Sequence, residues 1–382
     1  MPTTSRQRLT GLDMVRGAVM VLMALDHVRV YAGVPAGGPT AGVFFTRWVT
    51  HFCAPAFVFF AGTSAFLNGL KLGDRRALAR YLVTRGALLV LLEVTVIRAS
   101  WTFGLDYSET ILAGVIWMLG WCMILLAGLI GLPTRVIGGL GLAIILFQNV
   151  FGIVGRAMPT PVQQIWEFVY PVDAEVRLGQ NGPSFSVLYV IVPWIGVMAA
   201  GYAFGAIMIR EPAERRRLCL RIGLSATAIF VAAGLLGLLL LPRPDDAPPA
   251  LFRVLNQRKY PASPLYLLMT LGPTIALLPS AERARGWFAD VLTTFGRVPM
   301  FYYLLHIPVI HATALLVWLA RTGSVHPEWF ASAPSVSIPN GDRWGLPLLY
   351  LVFAVVVFLL HFPCRWFAGL KARRPDSWLR YV

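Results

Sequence analysis

Long runs without charge alternate with short basic stretches along this chain, and the length of the runs decides what they form. Uncharged apolar windows cover residues 52–70, 110–134, 136–155, 178–209, 222–242, 260–281 and 298–320. Residues 344–364 make another, interrupted only by His361. About 20 apolar residues at 1.5 Å each cross the hydrocarbon of a bilayer, so each window predicts a transmembrane helix. Two more windows, about 11–33 and 79–100, carry charge: Asp13, Arg16, Asp26, His27 and Arg29 in the first, Arg85, Glu93 and Arg98 in the second. Gly131-Leu132-Pro133 splits residues 110–155 into a hairpin, because proline cannot continue a helix. The pattern predicts an all-α fold: one polytopic membrane helix bundle over residues 1–382, with about ten transmembrane helices.

Composition narrows the class further. Of 382 residues, 57% are apolar and 13% charged, against about half and a quarter in soluble domains. That excludes a soluble globular enzyme and a disordered chain. The net charge of +15 would suggest nucleic acid in a soluble protein. Here its distribution points to topology and a lipid bilayer instead. The N-terminus, every second loop and the C-terminal tail hold Arg6, Arg8, Lys71, Arg75, Arg76, Arg80, Arg135, Arg210, Arg215, Arg216, Arg217, Arg221, Arg283, Arg285, Arg365, Lys371, Arg373, Arg374 and Arg380. The opposite loops are longer yet hold fewer, among them Arg156, Arg177, Arg243, Lys259, Arg321 and Arg343. Both termini are therefore predicted to face the cytoplasm. The outer loops, about 156–185, 243–262 and 322–343, are rich in Pro, Trp and Tyr and predict a structured cap. Cys53, Cys122, Cys219 and Cys364 lie far apart without a CxxC pair, so they predict neither a disulfide framework nor a metal site.

Ionisable groups inside a bilayer cost several kcal/mol and mark function by default. On the first helix Arg16 and His27 are eleven residues apart. They fall about 20° apart around the axis and about 16 Å apart along it. One face thus presents a cation near the inner end and an imidazole toward the outer leaflet. Asp13 sits one turn from Arg16, within pairing reach. His51 lies near the level of His27, and Glu93 and Arg98 occupy the outer half of the third span. Asp26, His27, His51, Glu93 and Arg98 together predict a polar chamber in the outer half of the membrane. Membrane histidines also serve as hydrogen-bonders between helices. That reading weighs equally with function for His306 and more heavily for His311 and His361. Gly62, Ser64 and Gly86 are read as close helix contacts.

Several stretches, taken in order, resemble one family. They are Arg8-Leu9-Thr10-Gly11-Leu12-Asp13-Met14-Val15-Arg16-Gly17 with Asp26-His27, then Thr50-His51-Phe52-Cys53-Ala54-Pro55, Arg85-Gly86 and Leu92-Glu93. Lys259-Tyr260-Pro261-Ala262-Ser263, Gly296-Arg297-Val298-Pro299 through His306, Cys364-Arg365-Trp366-Phe367 and Trp378-Leu379-Arg380-Tyr381 follow. The chain resembles the heparan-alpha-glucosaminide N-acetyltransferase-like membrane family, itself similar to a wider group of transmembrane acyltransferases. The resemblance implies a multi-pass protein of the bacterial cytoplasmic (inner) membrane. It implies acyl transfer from cytoplasmic acetyl-CoA or another acyl-CoA to an extracytoplasmic sugar or glycan. In the surface-sugar branch an Arg-x10-His motif on the first helix is a hallmark, matched by Arg16 and His27. The lysosomal branch carries its active histidine in the loop after the first helix, and residues 28–50 contain none.

The implied site assigns His27 as general base or transient acyl carrier and His51 as a second base or orienter. Asp26 and Glu93 are candidates to hold the imidazole tautomer. Arg16, Asp13, Arg85 and His306 are assigned to the donor. No metal and no nucleic acid are expected, and a homodimer stays open. A proton-coupled membrane transporter of a small solute is the rival, since the same residue types build proton relays. A scaffold is the third reading, and it gives no reason to bury five ionisable groups.

Overall fold

A computed structural model describes residues 10–37, 40–108, 110–179, 182–240 and 247–374. Arg6, Arg8, Arg243, Arg380 and the stretch 378–381, used above, lie outside these. Every apolar window contains a helix. The longer helices are α1 (Thr10–Tyr31), α2 (Ala41–Leu72, with an irregular turn at Val49–Phe52), α3 (Arg75–Leu92) and α4 (Val115–Leu129). Then come α5 (Thr134–Leu146), α6 (Asn149–Arg156), α7 (Trp194–Met208) and α8 (Pro212–Leu240). The last are α9 (Pro264–Arg283), α10 (Trp287–Arg297), α11 (Pro299–Thr322) and α12 (Leu346–Arg373). Their boundaries follow local chemistry. Gly73, with a φ of 66°, ends α2, a backbone conformation that glycine adopts without a Cβ penalty. Asp74 then caps α3 by accepting from Arg76 and Ala77. Ser263-Pro264 opens α9 in the same way, with Ser263 Oγ accepting from the Tyr266 amide.

The structure is all-α apart from one short strand pair. Among the described residues, α2, α8, α9, α11 and α12 are individually long and apolar enough to cross a bilayer. The pair α5–α6, bent by 65°, makes a sixth if it is one span. Two windows are shorter as helices than the sequence predicted. Residues 110–113 and 184–187 pair as parallel strands, Thr110 opposite Ser184 through Ala113 opposite Val187. Consequently α4 and α7 are only 15 residues each. Short β-branched apolar runs read alike as strand or helix by composition, and here tertiary pairing decided. The sequence also missed α10, whose amphipathic run is too short and too charged for a span.

α1 is the hub. It packs against α10, α9, α11, α12 and α2. Lipid gives no hydrophobic drive between helices, so close packing relies on small residues. The most extensive helix pairs meet at glycines: Gly17 with Gly296 (α1–α10), Gly86 with Gly120 (α3–α4), Gly141 with Gly196 (α5–α7), and Gly223 with Gly272 (α8–α9). Between α2 and α7, Gly62 faces the Met198 carbonyl and Gly201 the Phe59 carbonyl. Gly62 and Gly86 thus act as the sequence implied, whereas Ser64 has another task. All four cysteines are free and buried. The segment after α11 folds back over the C-terminal end of α1. Trp344 donates its amide to the Ala32 carbonyl at 3.0 Å, and the Phe330 ring lies 5.3 Å from Tyr31.

Candidate active site

Arg16 projects from α1 toward α2. Its guanidinium donates to Ser64 Oγ and to the Phe60 carbonyl, the latter at 3.3 Å, and lies 3.5 Å from the Asp13 carboxylate. All three partners belong to α2 or to the first turn of α1, so the cation is fixed where the two helices cross. Arg16, Asp13 and Ser64 line a cavity of about 220 Å³. Its wall follows Tyr81, Arg85 and Leu89 along α3, Met123 back to Val115 along α4, and Pro299 to Tyr303 along α11. Arg297 and Lys371 complete it. Four cations and one carboxylate therefore meet apolar side chains such as Phe57, Leu82 and Met300. Arg85 is steadied by donating to the Tyr81 hydroxyl at 2.7 Å. The arrangement suits an anionic ligand with a long, mostly uncharged arm.

Tyr303 is the last residue of α11 on the cavity wall. One turn further along α11, His306 is fully buried, with its Nδ1 2.6 Å from the Tyr303 carbonyl. Its Nε2 lies 2.7 Å from His27 Nδ1, and the two rings stack at 4.9 Å. A carbonyl can only accept, so His306 carries its proton on Nδ1 and offers Nε2 as acceptor. His27 must then donate from Nδ1, which leaves its Nε2 lone pair uncommitted. An imidazole held this way is a base or nucleophile with a fixed tautomer. Trp101 meets the His27 ring edge-on at 4.8 Å, and Tyr31 stacks on Trp101.

The other expected residues are distributed differently. His306, expected at the donor, is not among the cavity's lining residues and instead lies within hydrogen-bond distance of His27. Asp26, expected to hold an imidazole, pairs with Arg29 one turn on at 3.1 Å. Residues three apart share a helix face, and a charged partner there is nearer than any ring. Glu93, the other candidate orienter, accepts from the Ile116 and Trp117 amides at 3.0 and 3.1 Å. It sits at the start of a π-helical turn, Glu93–Ile97, and caps α4 where Gly114 provides no side chain. A Cβ at Gly114 would meet the Glu93 carboxylate at 2.5 Å. Arg98 holds the following loop through the Thr110 and Asp106 carbonyls. Of the five residues expected to share a chamber, Glu93 and Arg98 are thus engaged elsewhere.

His51 lies in the irregular turn of α2 and is 3% exposed, with no hydrogen-bond partner on either ring nitrogen. Its backbone carbonyl accepts from the Tyr266 hydroxyl at 2.8 Å. Lys259 is within electrostatic reach of Asp26, His27 and His51. Sequence reasoning counted Lys259 as a loop charge. Its signal was the tyrosine beside it, which the fold turns into a cation–aromatic contact at 5.2 Å. It met Arg297 and Tyr303 only through the family resemblance and Lys371 as a C-terminal tail charge, yet all three line the cavity. Among the described residues, no group of three His, Cys, Asp or Glu side chains is arranged to hold a metal ion.

Comparison with known families gives one match. The model of the family described as heparan-alpha-glucosaminide N-acetyltransferase, catalytic, covers residues 8–240. That range holds Asp13, Arg16, Asp26, His27, His51, Arg85 and Glu93, while Lys259, Arg297 and His306 lie beyond it. No curated protein matches the chain.

Proposed function

The chain belongs to the heparan-alpha-glucosaminide N-acetyltransferase catalytic family, and from that membership we propose a membrane acyltransferase that takes an acetyl group from cytoplasmic acetyl-CoA. The acceptor is a hydroxyl of an extracytoplasmic sugar or glycan. One observation carries the reading. A cavity with Arg16, Arg85, Arg297 and Lys371 on its wall ends one helical turn from a histidine pair that leaves His27 Nε2 uncommitted. The cations face the phosphates of the donor, and the apolar wall along α3, α4 and α11 takes its pantetheine arm. Arg16 and His27 stand about 16 Å apart on α1, which separates the charged and reacting ends of the donor.

In the transfer step His27 Nε2 removes the proton of the acceptor hydroxyl as its oxygen attacks the thioester carbon. The new ester C–O bond forms and the C–S bond breaks. His27 then returns the proton to the departing sulfur. His306 stabilises the imidazolium through the Nδ1–H it receives and keeps the ring oriented. The positive-inside charge pattern supports both termini in the cytoplasm and the donor cavity on the inner side. It also supports ten crossings, counting charged α1 and α3 and short α4 and α7.

The test is acetyl transfer and donor binding by the purified protein in lipid. Acetyl-CoA should bind more tightly than acetyl-pantetheine, and Arg297→Ala with Lys371→Ala should weaken acetyl-CoA about tenfold while narrowing that preference. An absence of acyl-CoA binding by calorimetry, or an unchanged preference in the double variant, would overturn the donor assignment.

A further inference from the structure

Lys259 and His51 form a second polar cluster that the donor cavity and the histidine pair do not use. Lys259 is half-buried, and its ammonium lies 5.9 Å from the Tyr189 ring and 5.2 Å from the Tyr260 ring. Among the described residues no carboxylate is within ion-pair distance of it. The nearest acid in electrostatic reach, Asp26, is already paired with Arg29. The backbone that carries Lys259 is built into the fold. Ser263 donates its amide to the Arg258 carbonyl at 2.9 Å, and buried Gln148 donates to the Ala262 carbonyl at 3.0 Å. His51 packs against the same segment: its ring meets the Tyr266 ring edge-on at 5.5 Å and its carbonyl accepts from the Tyr266 hydroxyl at 2.8 Å, while it is buried with both ring nitrogens unpaired. A buried imidazole without partners forfeits about 1–3 kcal/mol, so the arrangement costs stability unless a ligand completes it.

We infer that Lys259 and His51 form the acceptor subsite, and that it takes an acceptor bearing an anionic group, a carboxylate or phosphate, near the hydroxyl to be acylated. The inference rests on the acyltransfer reading above and adds the acceptor's charge to it. The ammonium supplies the counter-charge and the neutral imidazole one further donor. The Tyr189 and Tyr260 rings keep the ammonium in place and offer a flat apolar face for a sugar ring. A protonated amine would meet the Lys259 ammonium as a like charge, with Arg29 and Asp26 offsetting each other, so the subsite selects against cationic acceptors.

The experiment measures acetyl transfer from labelled acetyl-CoA to methyl glucuronide, glucose 6-phosphate, methyl glucoside and glucosamine by the full-length protein in lipid. The wild type should show higher kcat/KM for an acidic probe than for methyl glucoside, and lower for glucosamine. The two acidic probes separate carboxylate from phosphate. Lys259→Gln should reduce the acidic-to-neutral ratio about tenfold, the loss of one charge-assisted hydrogen bond, and Lys259→Arg should retain it. His51→Ala should lower the same ratio less. An equal or inverted preference in the wild type, or a Lys259→Gln ratio unchanged while the variant remains monodisperse, would overturn the subsite and leave the acyltransfer reading intact. Transfer to none of the four probes, together with absent donor binding, would overturn both. Donor binding and thioester hydrolysis without transfer to any probe would overturn the subsite alone.

Discussion

His27 and His306 show how much a single hydrogen bond decides at the residue scale. If His27 Nε2 is the base, His27→Ala should lower transfer by about a hundredfold or more, with donor affinity changed only a few-fold, because the ring acts on the reacting centre. His306→Ala removes the acceptor that fixes the His27 tautomer. It should lower kcat about ten- to hundredfold at nearly constant KM for acetyl-CoA, and His306→Gln, whose amide oxygen can accept the same bond, should recover part of the loss. A His306→Ala enzyme with normal kcat would show that the pair is structural. Arg16 with His27 was legible in the sequence, because helical periodicity alone places two residues eleven apart on one face. The His27–His306 pair was not. It joins residues from opposite ends of the chain, α1 and α11, and no local spacing encodes that contact.

At the scale of elements, the crossing of α1 with α10 is the most exposed to test. A side chain at Gly17 would drive its Cβ into the Leu292 carbonyl, and backbone cannot rotate aside as a side chain can. Gly17→Val should cost about 1–3 kcal/mol, read as a lower melting temperature in detergent. It should also weaken acetyl-CoA binding, since Asp13, Arg16 and Arg297 border the same crossing. Gly128→Ala is the control, because nothing lies within 4 Å of its Cβ. The α4 terminus offers a second case. Glu93→Ala frees the Ile116 and Trp117 amides, at a cost of about 1–3 kcal/mol, and lets the Val115–Ile116 wall of the donor cavity move. Glu93→Gln keeps an acceptor oxygen and should lie nearer the wild type in both melting and KM. The helices themselves were legible from hydropathy. The strand pair, the π-helical turn and the 65° bend between α5 and α6 were not, because each depends on a partner segment or a local backbone choice that composition does not mark.

For the whole molecule, orientation sets which side each site faces. A reporter fused after Val382 should be active in the cytoplasm and silent in the periplasm. A periplasmic signal would place the cation-lined cavity on the outer face and end the cytoplasmic-donor mechanism. The most apolar windows of α8 and α12 are only 17% and 22% buried, against 56% for α2, which puts them at the lipid boundary and α1 and α2 inside. By itself the sequence determined the membrane class, the helical architecture, the hairpin break at Gly131-Leu132-Pro133 and the cation–imidazole face of α1. Each of these follows from local period, length or loop chemistry. The tertiary structure alone decided which buried charges meet. It sent Asp26 to Arg29 and Glu93 to the α4 amides, brought His306 to His27, and set Lys259 against the Tyr189 and Tyr260 rings. In a low-dielectric interior every ionisable group takes the best partner that the packing offers, and that packing is fixed by glycine crossings between helices far apart in the chain.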